Sequence, residues 1–87
     1  MALHLITSSP HGSSCLSDCL NVLGTHDPVV LIGDGVYALP KLSLENKIYC
    51  IAEDCVARGI EANRAHAIDH EGLVRLTEQF YPVVTWS

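Results

Sequence analysis

Two cysteines lie four positions apart in the stretch SSCLSDCL, which spans residues 13–20. A thiolate can attack a persulfide, hold its outer sulfur and release it to another thiol, so one cysteine suffices for sulfur transfer. The same two side chains could instead bind a metal ion, or fill the edge of a hydrophobic core. The surrounding sequence is therefore needed to decide among sulfur transfer, metal binding and core packing for these two cysteines.

A helical pattern that starts near residue 14 sets the expected exposure of these two cysteines. Its apolar face is formed by three leucines, Leu16, Leu20 and Leu23. At about 100° per residue, Cys19 falls about 65° from the centre of that face, which is an edge position between core and solvent. Cys15 lies farther round and close to the helix N-terminus, where the helix dipole favours a thiolate. The residues alone therefore favour Cys15 as the more reactive thiol.

The other two cysteines are expected to be structural. Cys50 lies inside a predicted strand, and Cys55 lies in a short predicted helix after it. The pairs Cys15-x3-Cys19 and His66-x3-His70 match two halves of a zinc pattern, but a long gap separates them. In a strand, positions 66 and 70 would also stand about 13 Å apart, which is too far for one ion. We therefore expect neither a metal ion nor a cofactor.

Short apolar runs alternate with helical patterns along the chain. The apolar runs predict strands at 2–6, 28–33, 47–52, more weakly 65–69, and in the closing VVTW. Helical patterns are found at 14–23, 53–59 and 70–80. The segment 36–46 is short and contains Pro40, so we expect at most one helical turn there. This alternation predicts an α/β fold, a small three-layer domain with a mostly parallel four- to five-stranded sheet flanked by helices.

Composition limits the classes of protein to which the chain can belong. Its 87 residues suffice for one domain, 1–87. An apolar fraction of 48% is more than so small an interior hides, so we expect an oligomer. The net charge is −5 and the five basic residues are dispersed, a pattern that does not fit a nucleic-acid or membrane-surface binder. With no signal pattern and no long apolar run, we expect a cytoplasmic protein with reduced cysteines.

Several short stretches of the chain, taken together and in their order, form a recognisable pattern. They are LH...SP at 3–10, DGVYA at 34–38, K-Y at 47 and 49, EDCVARGI at 53–60, ID at 68–69, LVRLT at 73–77 and a closing tryptophan. Through them the chain resembles the DsrH or TusB family of small sulfur-relay subunits, which belongs to the wider DsrE-like fold group. The resemblance covers nearly the whole chain. The segment between Leu39 and Lys47 is shorter than in the family pattern, which leaves the second crossover helix open.

The resemblance implies a heterohexamer built from two copies each of three related chains. Its other subunits would be DsrE/TusD-like and DsrF/TusC-like, and a DsrC/TusE-like protein would accept the sulfur. Such complexes pass sulfur as cysteine persulfide, either toward 2-thiouridine at the tRNA wobble position or in the oxidation of stored sulfur. We expect the tRNA pathway, with sulfur oxidation as the alternative.

The resemblance also ranks the cysteines. In sulfur-oxidising and some other members a cysteine lies in an SCL stretch on the first helix, and Cys19 in DCL occupies that position. The family match therefore favours Cys19 as the candidate persulfide carrier, with Cys15 as the second candidate. Some members of the tRNA branch lack this cysteine and keep the carrier thiol on a sister subunit. A purely structural subunit is thus the competing hypothesis.

We predict that the isolated chain does not bind RNA directly, even if its pathway ends on tRNA. Phosphate binding requires clustered cations that release counterions, and this acidic chain has only dispersed ones. Fluorescence anisotropy of labelled tRNA, titrated at low and at high salt, should show no saturable binding below micromolar protein. Submicromolar binding that weakens steeply with salt would contradict this prediction.

Overall fold

The computed structural model describes residues 1–62 and 65–87. The described chain contains five β-strands, three α-helices and a 3₁₀ helix. In chain order these are β1 Leu3–Ile6, α1 Cys15–Val22, β2 Val29–Leu31, the 3₁₀ helix Gly33–Lys41, β3 Ile48–Ile51, α2 Ala52–Arg58, β4 His66–Ile68, α3 His70–Gln79 and β5 Val83–Trp86. Each predicted strand and α-helix is therefore found at its expected place.

All five strands form one parallel sheet in the order β4-β3-β2-β1-β5. The predicted α/β class with a parallel sheet is thus confirmed. β1 lies between β2 and β5, so that Ile6 stands opposite Leu31 on one side and Trp86 on the other. Because the strands are parallel, their carboxyl ends meet at one edge of the sheet, and the loops after β1, β2, β3 and β4 begin there.

The two faces of the sheet are covered unequally. Alternate residues of a strand point to opposite faces, so Val29 and Leu31 of β2 lie in one core cluster while Val30 lies in the other. The first cluster contains buried residues of α1, the 3₁₀ helix and α2. The second is covered by α3, through Leu76 and Leu73. Within the described residues, one helix of ten residues therefore covers this face, whereas three helical elements cover the opposite face.

The connection between β2 and β3 differs from the prediction of at most one helical turn. It is a 3₁₀ helix of nine residues, which corresponds to about three turns. Val36, Leu39 and Leu42 are all buried and lie three positions apart, the period of a 3₁₀ helix rather than of an α-helix. Gly35 packs on the end of β1 so closely that a Cβ there would stand 2.1 Å from the carbonyl oxygen of Ile6. Pro40, next to the last residue of the helix, removes only one N–H donor.

A buried polar network ties β1 to the loop before β2 and to the C-terminal strand. His4, only 3% exposed, contacts Asp27 Oδ2 through Nε2 at 3.1 Å. The indole Nε1–H of Trp86 donates to His4 Nδ1 at 3.1 Å. An indole nitrogen can only donate, so the proton of neutral His4 is on Nε2 and is donated to Asp27. The backbone N–H groups of Ala2 and Gly24 also donate to the Asp27 carboxylate.

These hydrogen bonds govern the protonation of Asp27. Its burial alone would raise the carboxyl pKa, but the hydrogen bonds from Gly24, His4 and Ala2 outweigh burial and lower the pKa. A carboxylate with a lowered folded-state pKa stabilises the fold above its unfolded-state pKa, and this contribution is lost as the pH falls through the folded-state value. The ionised carboxylate is therefore part of the folded structure at neutral pH.

We predict that Asp27→Asn lowers the free energy of unfolding by about 1–3 kcal/mol at neutral pH, because hydrogen bonds to a charged acceptor are lost. The difference from the parent should shrink as the pH falls below the lowered pKa of Asp27, where the parent carboxyl is also protonated. Urea unfolding followed by the fluorescence of Trp86, the single tryptophan, measures both effects. Glu78→Gln, at an exposed position of α3, is the control. Equal stability of the two variants at neutral pH would contradict the prediction.

Candidate functional site

The candidate site is the start of α1, which follows the loop that leaves the carboxyl end of β1. Ser14 is the N-cap residue, and its carbonyl accepts the first helical hydrogen bond from the Asp18 N–H at 2.9 Å. The Ser14 hydroxyl donates to Asp18 Oδ2 at 3.1 Å, and the Ser13 hydroxyl accepts the Cys15 N–H at 3.1 Å. The two serines thus order the turn that carries Cys15, as the sequence predicts for a helix start near residue 14.

Cys19 points into the protein interior. Its exposed fraction is 0%, and it belongs to the core cluster that includes Ile6 and Val29. Burial raises the pKa of the Cys19 thiol to about 11, and the negative charge of Asp27 adds to the effect. The predicted edge position with partial exposure is therefore wrong, and the group is a neutral thiol at physiological pH.

The buried face of α1 is centred on Cys19 rather than on the three leucines. Leu16 and Leu23, three positions before and four after Cys19, flank it and are partly buried, while Leu20 is exposed. A thiol is small, so it allows the helix backbone to approach the sheet more closely than a leucine at the same point would. The leucine count misplaced the helix because it gave a cysteine no weight as an apolar residue.

Cys15 is the cysteine that remains accessible. It lies one turn before Cys19 and is partly buried, whereas Cys19, Cys50 and Cys55 are all buried. The predicted burial of Cys50 is confirmed, and Cys55 is equally enclosed by the core. The four thiols of the chain therefore divide into one that a partner can reach and three that face the interior.

An apolar groove of about 700 Å³ runs beside α1 and the 3₁₀ helix. Leu16 and Leu20 of α1, Tyr37 of the 3₁₀ helix and Leu44 contribute to its wall. The leucine face that periodicity assigned to the core thus opens in part onto this groove. Apolar surface of this kind is typical of regions that contact another molecule.

The acidic residues near the sheet edge are held in structural contacts. Arg58 of α2 forms an ion pair with Asp34 at 3.0 Å, and Asp54 accepts the Gly33 N–H at 2.8 Å. These bonds join α2 to the 3₁₀ helix. Within residues 1–62 and 65–87, no three side chains of His, Cys, Asp or Glu lie close enough together to hold a metal ion. None of the helices in the same residues has the length and apolar character needed to cross a bilayer.

The sequence did not predict the network of His4, Asp27 and Trp86. This network is linked to the candidate site because the negative charge of Asp27 raises the pKa of Cys19. His4 is a buried residue inside β1. The hydrogen-bonded partners of His4 are 23 and 82 positions away in the chain. No local pattern links residues at such separations, so only the fold reveals this network.

Comparison with known proteins places this geometry in a family. No curated protein matches the chain. The solution NMR structure of protein Tm0979 from Thermotoga maritima is similar, with 29% sequence identity, a TM-score of 0.67, and coverage of 91% of this chain and 93% of that one. The sequence profile described as DsrH like protein matches residues 8–83, which include α1 and both candidate cysteines. With a parallel five-stranded sheet and a profile match over most of its length, the chain belongs to the DsrH family of sulfur-relay subunits.

Proposed function

We propose that this chain is a structural subunit of a cytoplasmic heterohexameric complex that passes persulfide sulfur toward 2-thiouridine at the tRNA wobble position, and that a sister chain holds the carrier thiol. DsrE/TusD-like and DsrF/TusC-like chains would complete the complex, and a DsrC/TusE-like protein would accept the sulfur. Family members of the tRNA branch that lack the cysteine of the first helix have this division of labour. The observation that carries the proposal is the complete burial of Cys19, the cysteine at the family carrier position.

The protonation state of Cys19 supports the structural role. Sulfur transfer requires a thiolate that can reach an incoming persulfide. With a pKa of about 11, only about one Cys19 side chain in 10⁴ is ionised at pH 7. Asp27 further disfavours the thiolate, and no atom of Cys19 is open to a donor molecule. For Cys19 to carry sulfur, which is the first hypothesis from the sequence, α1 would have to move away from the sheet.

A second candidate function is a relay through Cys15. Partial exposure at the start of α1 favours it, because a donor thiol can reach Cys15 without any change in the packing of the helix. Sulfur oxidation instead of tRNA thiolation is a further alternative, in which a cysteine on the first helix would take part directly. Both alternatives differ from the structural proposal in requiring a thiol of this chain.

The distribution of apolar surface supports assembly with sister chains. On the face covered by α3, Val83 of β5 lies beside Leu3 of β1 and remains exposed, and Val74 of α3 is 54% exposed. Parallel sheets are normally buried on both faces, so a face with one helix is incomplete in an isolated chain. A sister subunit that packs against α3 and β5 would complete it.

We predict that complexes containing the Cys15→Ser chain or the Cys19→Ala chain relay sulfur as well as the complex with the parent chain, because the carrier thiol is on a sister chain. The assay loads the complex with a cysteine desulfurase and its relay partner, and mass mapping then locates the added sulfur. Cys55→Ala, which removes another buried thiol, controls for changes in packing. The added sulfur should be found on a sister chain and not on this one.

The outcomes separate the alternatives. Loss of relay with Cys15→Ser alone would replace the structural proposal by the Cys15 relay. Loss with Cys19→Ala but not with Cys55→Ala, in complexes of unchanged mass, would show that Cys19 carries sulfur after all. Transfer to a sulfur-oxidation acceptor, but not to a tRNA-thiolation enzyme, would contradict the proposed pathway.

We predict that Val74→Glu weakens assembly with the sister subunits, because it places a charge on the sparsely covered face. Val56→Glu is the matched control, since Val56 is a helical valine on α2 that is 81% exposed and lies on the other side of the sheet. Light scattering coupled to size exclusion measures the mass of each mixture. A parent chain that stays monomeric both alone and with sister subunits would contradict the assembly claim, and equal effects of the two substitutions would contradict the assignment of the face.

A further inference from the structure

Two buried thiols meet where β3 leads into α2. Cys50 is fully buried and Cys55 is 3% exposed, and both belong to the same core cluster. Ile51 is the N-cap residue of α2, so Cys50 precedes the cap and Cys55 is the fourth helical residue. Side chains at these two positions characteristically pack on each other at a helix start. Both thiols thus lie at the junction of β3 and α2, enclosed by the same core.

The attachment of α2 to the core depends heavily on this pair. α2 has seven residues, and Cys55 is the one among them that is buried. The N-cap makes no side-chain hydrogen bond, and the two links from α2 to the 3₁₀ helix, Arg58 with Asp34 and Asp54 with the Gly33 N–H, are partly exposed to solvent. Short helices with one buried side chain open locally at a lower free energy than the whole fold. A local opening of α2 would expose both sulfur atoms at once and keep them close together.

We propose that Cys50 and Cys55 form an intramolecular disulfide when the protein meets a two-electron thiol oxidant such as hydrogen peroxide. One thiolate attacks a peroxide oxygen, which breaks the O–O bond and yields a sulfenic acid and, after protonation, one water. The second thiolate then attacks the sulfenic sulfur and displaces hydroxide, which leaves as a second water. In balance, two thiols and one peroxide give one disulfide and two waters, and the two sulfur atoms are oxidised while the peroxide is reduced.

The geometry favours this pairing over others. Side chains at the residue before a helix cap and at the fourth helical position characteristically pack on each other, so a small movement brings this pair to the Cβ separation of a disulfide, about 3.5–4.5 Å. In the closed state Cys50 is protected, because burial, with a smaller contribution from the neighbouring Cys55, raises the pKa of its thiol to about 12. The reaction therefore proceeds through the open state of α2. Neither Cys15 nor Cys19 takes part, so the inference does not rest on the proposed function.

Oxidation of the folded full-length chain with hydrogen peroxide tests the proposal. Remaining thiols are alkylated, and the chain is digested with an enzyme that cleaves after glutamate. Glu53 lies between the two cysteines, so the resulting peptides stay joined only if a disulfide links Cys50 to Cys55. We expect the joined pair, lighter by two hydrogen atoms, with Cys15 and Cys19 alkylated, and separation of the peptides after reduction.

Variants complete the test. Cys15→Ser should form the same disulfide at the parent rate, while Cys55→Ala should lose it. Urea well below the unfolding transition should accelerate the reaction, because it increases the population of the open state. If Cys50→Ala does not fold, Cys55→Ala and the mapping of the parent protein decide the question. A dominant link between Cys15 and Cys19, dimers joined by disulfides, or four thiols that all remain alkylatable after oxidation would overturn the proposal.

Discussion

The need to cover both faces of a parallel sheet dominates this structure. Five strands pair side by side, and each face presents a row of apolar side chains that is normally buried. On one face α1, the 3₁₀ helix and α2 meet this need, whereas in residues 1–62 and 65–87 the opposite face is covered by α3. Val74 of α3 and Val83 of β5 stay exposed on that side, and a sister subunit of the proposed complex would cover them.

The same requirement explains the state of Cys19. α1 packs on β1 and β5, and Cys19 is its buried residue, with none of its surface in contact with water. Burial that stabilises the fold also holds the sulfur as a neutral thiol, with a pKa of about 11. A cysteine cannot serve fully in both roles in one conformation, because a carrier must be ionised and accessible. Cys15, one turn earlier, contributes less to the core and keeps its access to solvent.

The polar network matters because β1 is an interior strand of the sheet, with β2 on one side and β5 on the other. β1 pairs with β2 and with the C-terminal strand, so its two partners are brought together from distant parts of the chain. His4 connects both sides, since it donates to Asp27 ahead of β2 and accepts from Trp86 at the end of β5. All three groups are satisfied by hydrogen bonds, which is what makes a buried histidine and carboxylate tolerable in a small core. The negative charge of Asp27 also raises the pKa of the Cys19 thiol, so the network that fixes the sheet contributes to the chemistry of the thiol.

Local sequence determined the elements of this protein, and the tertiary structure determined the environment of its cysteines. Apolar runs and helical spacing located five strands and three α-helices, because those patterns arise within a few residues and need no distant partner. The ordered motifs were sufficient to indicate the family.

The 3₁₀ helix was not predicted from the sequence, because its apolar period of three, in Val36, Leu39 and Leu42, matches neither an α-helix nor a strand. The rotation of α1 that buries Cys19 and exposes Leu20 could not be derived from α1 alone, since it depends on how closely the helix approaches the sheet. Likewise, His4 meets Asp27 and Trp86 only after the strands have paired, because residues 23 and 82 positions apart come together through the sheet and not through the sequence.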